Sequence, residues 1–265
     1  MSSSVKPQNS RQALEHLEHI AGLGLEPEAQ LIEAAVSTVA GAVDFSRLLE
    51  DKNWQNAQFG SSARQVNVDF VKEGQFRPEQ VHERHGAHSS AWLLATHAGT
   101  DDPCLRVWLQ SLEARLARSV QLARASDVVA AFSEMIDNAQ EHGRSDRSHT
   151  LTFELGKRWW IFSVTDDGPG VPSTIRSLPR YRGLSDFDAV CEALKDGVSC
   201  TDEPGRGGGF RRLIRVLLDS NCAIHMRTGF VSVFIHGNAV EKHIDQSIFS
   251  WARRGLHLRA RGVLS

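Results

Sequence analysis

S-E-M-I-D-N-A-Q-E-H-G, from Ser133 to Gly143, closes a stretch with clear helical periodicity. Val128, Phe132, Met135, Ile136 and Ala139 recur at three- and four-residue steps, the stripe by which a helix meets a core. Glu134, Asn138 and His142 recur one turn apart and share the opposite face. Ser126 is placed to cap such a helix and Gly143 to stop it, so a helix is expected over 126–142. An amide oxygen can ligate a hard Mg²⁺, and a carboxylate one turn away can take a proton from water. By itself, however, such a face is more often simply solvated.

Outward from this helix the pattern alternates between helices and hairpins. Upstream, Pro103 opens a helix with Leu105, Trp108, Leu109, Leu112, Leu116 and Val120 at helical spacing. Downstream, His149–Leu155 alternates, Gly156-Lys157 turns, and Trp159–Thr165 returns. Within that return strand, one of Trp159 and Trp160 should face the core and the other should face out. Then comes D-D-G-P-G, Asp166 to Gly170, at the strand's end. Its aspartate can accept a hydrogen bond from an exocyclic amine, and its glycines let a backbone approach a flat ligand; a plain turn reads the same way.

Residues 171–204 are rich in Pro, Gly and Ser, with one short helix near Ser185–Asp196. G-R-G-G-G-F, Gly205 to Phe210, precedes an amphipathic helix over Phe210–Asp219. Glycines ahead of a helix N-terminus expose N–H groups and the positive end of the dipole, which suits phosphate. Arg206, Arg211 and Arg212 add charge there. A second hairpin, Cys222–Arg227 with Phe230–His236, completes an α+β order. No G-x-x-x-x-G-K-[ST] occurs, and no strand precedes the glycines as a dinucleotide fingerprint requires.

Taken together, the three segments resemble the N, G1 and G2 boxes of the GHKL ATPases, the superfamily of gyrase, a heat-shock chaperone, histidine kinases and MutL. The resemblance covers roughly Pro103 to His236, with matching order and spacing. It implies a two-layer α/β sandwich, the Bergerat-type ATP-binding fold, over 103–238. A mainly helical region over 1–102 and a tail over 239–265 would flank it. It implies ATP and Mg²⁺ as cofactors. Glu134 looks like the water-activating base and Asn138 like the Mg²⁺ ligand, with His142 on the same face. Asp166 looks like the adenine-amine acceptor, flanked by Gly168 and Gly170. Gly205, Gly207, Gly208 and Gly209 look like the glycines that wrap the triphosphate, and Val171–Pro204 like a mobile lid. One departure is Glu141, where sensor kinases carry a lysine; Arg206 is the candidate substitute. The N-A-x-x-H-G ending is most similar to the anti-sigma-factor serine kinases.

The remaining features set limits. The chain has 265 residues, with 30 Lys+Arg against 32 Asp+Glu and a formal charge of −2. Near-neutrality removes any global attraction to nucleic acid or membranes. No apolar run is long enough to span a bilayer, and the four cysteines show no C-x-x-C spacing, so a cytoplasmic protein is expected. His16 and His19 lack the context of a phospho-accepting histidine. The expected activity is therefore ATP hydrolysis that regulates a protein partner, in a possible homodimer. The alternatives are a kinase acting in trans and a non-catalytic ATP sensor. Within 1–102, helices are expected over 11–22 and 27–49, and strands over Gln65–Lys72 and Ala91–Thr96. His82, His85 and His88, at spacing three, are a weak zinc candidate. The arginine-rich Trp251–Arg261 reads as a solvated terminal strand or helix, with nucleic-acid contact as the weaker reading.

Overall fold

The computed structural model describes residues 42–43, 70–71, 73, 77–86, 89–119, 122–143, 148–195, 214–216, 222–236, 239–244 and 253–264. In chain order the elements are β1 (His82–His85), β2 (Ser89–Thr96), α1 (Pro103–Leu116), α2 (Leu122–His142), β3 (His149–Gly156), β4 (Trp159–Thr165), α3 (Val171–Arg176), a 3₁₀ turn (Pro179–Tyr181), α4 (Asp186–Ala193), β5 (Ala223–Gly229), β6 (Val231–His236), β7 (Ala239–Ile244) and β8 (Arg253–Val263). The protein is thus a mixed α/β structure built on an antiparallel sheet. Its strand order is β1-β2-β3-β4-β8-β5-β6-β7. Most neighbours are hairpin partners. β2 and β3 pair across the intervening α1 and α2, and β8 enters between β4 and β5, pairing antiparallel with both.

Register explains why the sheet buries one side in apolar contact. Cross-strand partners share a face, so the pairings define continuous rows. One row runs Trp92, Phe153, Phe162, Ala260, Ile224, Ile235, and the next runs Leu94, Leu151, Val164, Leu258, Met226, Val233. All twelve side chains are buried. Helix α2 covers this face through Val128, Phe132, Met135, Ile136 and Ala139, the expected stripe. The Phe132 ring stacks on Phe162 at 4.7 Å, and Trp108 of α1 lies 6.0 Å from Phe132.

The opposite rows are polar yet also buried. Thr150, Thr165, His257, Arg227 and Ser232 form one of them, all 5 % exposed or less. Buried polar groups require partners, and several on this face are paired across the strands. Thr152 Oγ1 and Ser163 Oγ are 2.6 Å apart, and His225 Nε2 lies 2.8 Å from Ser232 Oγ. Thr165 Oγ1 meets His257 Nδ1 at 2.7 Å, and Arg227 Nη1 donates to the carbonyls of Gly229 and Val231.

The helix ends follow side-chain chemistry. Asp102 caps α1 by accepting from the N–H groups of Cys104 and Leu105. Ser185 caps α4 by accepting from Asp188 N. Asp186 then ties three elements together. Its carboxylate accepts from Arg176 Nη1 of α3 and from Phe230 N in the β5–β6 turn, each at 2.6 Å. Val171–Ala193, assigned in sequence to a mobile lid, thus contains two short helices, with Asp186 and Phe187 anchoring it to the sheet and core. The rest of the expected lid lies outside the described residues, apart from Leu194 and Lys195.

Several expectations need correction. Helix α2 begins at Leu122, so Ser126 is an interior residue; its hydroxyl donates to Glu113 of α1 instead of capping its own helix. α1 stops at Leu116, short of Val120. Of Gln65–Lys72, expected as a strand, Phe70 and Val71 are helical; the rest of that segment lies outside the described residues. Most important, the basic 253–263 segment is not a solvated tail. It is an inner strand whose Leu256, Leu258 and Ala260 are buried, so the sheet continues past the expected boundary at 238. The two hairpins, the strand over Ala91–Thr96 and the helix near Ser185 are present as expected. Trp160 is buried and stacks on Phe162, while Trp159 is half-buried over Gly156.

Candidate functional site

Two of the three segments singled out in sequence meet at one end of the sheet. α2 brings Glu134, Asn138 and His142 along one face to its C-terminus; Glu134 is exposed, and Asn138 and His142 are half-buried. Asn138 Nδ2 donates to the Glu134 carbonyl at 2.8 Å. That bond fixes the amide rotamer and leaves the side-chain oxygen as the atom for a ligand. Glu141, the departure from the sensor-kinase pattern, is exposed.

β4 delivers Asp166 to the same end. The residue is buried at 7 % exposure, and its Oδ1 accepts from Gly168 N at 2.7 Å. Gly168 lies directly on the end of α2. A Cβ placed there would fall 2.3 Å from the His142 carbonyl oxygen and 3.1 Å from Gly143 Cα. What approaches this glycine is thus the helix terminus of the protein itself, and Gly168 serves first to dock the aspartate loop on α2. Gly170 (φ 77°) likewise faces Thr228 Oγ1 and the Gly255 carbonyl. The close-approach role predicted for these two glycines is filled by the chain's own backbone and by a neighbouring threonine.

The floor of the loop comes from residues that sequence reasoning missed. Asp166 N donates to the Leu256 carbonyl at 3.0 Å, and Gly255 N donates to the Gly168 carbonyl at 2.8 Å. Thr228 Oγ1 donates to the Gly255 carbonyl and accepts from Val171 N. His257, bonded to Thr165, backs the residue immediately before Asp166. Only the insertion of β8 beside β4 reveals these roles. A glycine at 255 ahead of the alternation Leu256, Leu258, Ala260 was the available signal, and the flanking arginines obscured it.

Gly205, Arg206, Gly207, Gly208 and Gly209, the expected phosphate loop, lie outside the described residues. Of the helix expected after them, Ile214–Val216 is helical, with Ile214 buried in the core. The zinc reading of His82 and His85 is not supported. They sit on a strand at an odd spacing, so they face opposite sides. His88 lies outside the described residues, and no group of three metal-binding side chains is assembled among those described. Cys222 is buried, and burial pushes its thiol up to about 12, which makes it an inert packing residue. No helix among the described residues is long and apolar enough to cross a membrane. No family model matches the chain, and a search of curated proteins finds no significant relative.

Proposed function

We propose that this chain binds ATP with Mg²⁺ in a two-layer GHKL-type fold and hydrolyses it to alter its contacts with a protein partner. The observation that carries the reading is the contact of Gly168 with His142 and Gly143. It joins the helix bearing Glu134 and Asn138 to the loop bearing Asp166, two segments chosen from sequence for complementary parts of one nucleotide.

Each residue has a specific task in this reading. Asn138 offers an amide oxygen held in place by its own N–H bond to the backbone, which suits a hard cation that demands oxygen ligands. When bound, Mg²⁺ supplies neutralisation of phosphate charge. Glu134, one turn away and open to solvent, accepts the proton of an attacking water. Asp166 accepts a hydrogen bond from the adenine amine, with its backbone held by Leu256 and its carboxylate by Gly168 N. Gly205, Gly207, Gly208, Gly209 and Arg206 would enclose the phosphates.

Calorimetric titration with MgATP, followed by incubation with radiolabelled ATP, tests the proposal. Glu134→Ala should retain binding and lose turnover by roughly 10²–10⁴-fold, the usual contribution of a positioned base. Asp166→Ala should weaken binding by about tenfold to a hundredfold, as for a lost hydrogen bond to a charged acceptor. Absence of any binding heat in the native protein, or full turnover by Glu134→Ala, would reject the assignment. Label transferred to a partner protein would identify a kinase instead, and tight binding with neither product a nucleotide sensor.

A further inference from the structure

We infer that the loop from Thr96 to Asp102 is an acid-released latch on α2, with the buried ring of His149 as its trigger. The loop is tied down on both sides. On one side the Glu79 carboxylate accepts from Thr96 Oγ1 at 2.6 Å and from His97 N at 2.9 Å, and the His97 ring lies 3.2 Å from it. Glu79 holds this position in a left-handed conformation, φ 64°, which a non-glycine residue adopts only under tertiary constraint. On the other side Asp137 accepts from Thr100 N at 2.8 Å and from Thr100 Oγ1 through both carboxylate oxygens, at 2.8 and 2.7 Å. Asp137 immediately precedes Asn138 on α2, so the latch grips the helix beside the proposed site.

His149 lies against this loop. It pairs with Thr96 across β2 and β3 and is 4 % exposed. The backbone of Ala98 hydrogen-bonds its ring, while Nε2 has no hydrogen-bond partner among the described residues. The charged groups facing the ring are Glu79 ahead of β1, His97 after β2 and Asp137 on α2. Burial dominates, opposed by the Ala98 hydrogen bond, and lowers the imidazole to about 4. Burial alone would raise the Glu79 carboxyl, but the Thr96 hydroxyl and His97 hold it below its ordinary value.

The sign follows from linkage. His149 is neutral in the closed state and takes up a proton readily once the loop lifts. Acid therefore favours opening as pH falls below the ordinary histidine value, until the closed state itself protonates near about 4. A protonated ring would also draw on Asp137 and Glu79, the two carboxylates that hold the loop.

Hydrogen exchange on the full chain tests the latch. Between about pH 7 and about pH 5, after correction for intrinsic exchange, opening of residues 96–102 should increase roughly twentyfold. His149→Phe should abolish that increase. A wild-type loop indifferent to acid, or an equal response in His149→Phe, would overturn the latch. If the phenylalanine variant fails to fold, NMR titration of the native imidazole decides: titration near the ordinary histidine value overturns it, and titration well below supports it. Loss of nucleotide affinity in parallel with opening rests on the proposed function. Acid-driven opening in a protein that binds no ATP would keep the latch and reject the nucleotide site.

Discussion

Gly255→Ala should unfold or severely destabilise the protein, by roughly 4–5 kcal/mol, the upper end for single substitutions. Two effects add. Gly255 has φ 69°, a left-handed conformation that an L side chain adopts at a cost of about 1–2 kcal/mol. The new Cβ would also lie 1.9 Å from the Asp166 carbonyl oxygen and 2.8 Å from its carboxylate. Neither can move freely, because Asp166 is itself bonded to Leu256 and Gly168. Gly183→Ala is the matched control: a Cβ there meets nothing within 4 Å, and stability should change by about 0.5 kcal/mol or less. Urea denaturation of the two variants checks the contrast. Equal midpoints would mean that β8 does not form the floor of the aspartate loop.

Phe132→Ala should cost about 3–5 kcal/mol through lost burial and an unfilled cavity. The ring is 1 % exposed, stacks on Phe162 of the sheet and lies 6.0 Å from Trp108 of α1, so it ties both helices to the strands. Val107→Ala, on the outer face of α1 at 65 % exposure, should change stability by about 0.5 kcal/mol or less. Chemical denaturation followed by circular dichroism separates them. A small loss in Phe132→Ala would show that the α2–sheet interface repacks freely.

Local pattern made much of this architecture readable. The stripe of α2 and the alternation of β3, β4, β5 and β6 appear in sequence because the apolar residues of each element gather on one face, and the period follows the geometry. The aspartate loop was legible because a strand had to end in D-D-G-P-G. What escaped depends on distant contacts. Ser126 resembles a cap, but Glu113 on another helix takes its hydroxyl. Histidines spaced three apart suggest a cluster until they are placed on a strand, which turns them apart. β8 escaped because four arginines in Trp251–Arg261 read as a solvated surface, although Leu256, Leu258 and Ala260 carried the period of a strand. Within the candidate site, Gly168 of the aspartate loop meets His142 and Gly143 at the end of α2. Thr228 and Gly255, which support them, are visible only once the pairing of β8 is known.

The late arrival of β8 shapes how this molecule must assemble. Its partner residues Thr165 and His257 stand 92 positions apart, so the sheet closes through one of its longest-range pairings. Until that strand docks, β4 and β5 each present an open row of unpaired amides and carbonyls in the middle of what will become the sheet. Such edges invite pairing with another chain. A nascent or partly unfolded molecule is therefore most vulnerable to strand exchange at this gap, and its closure coincides with completion of the Asp166 loop.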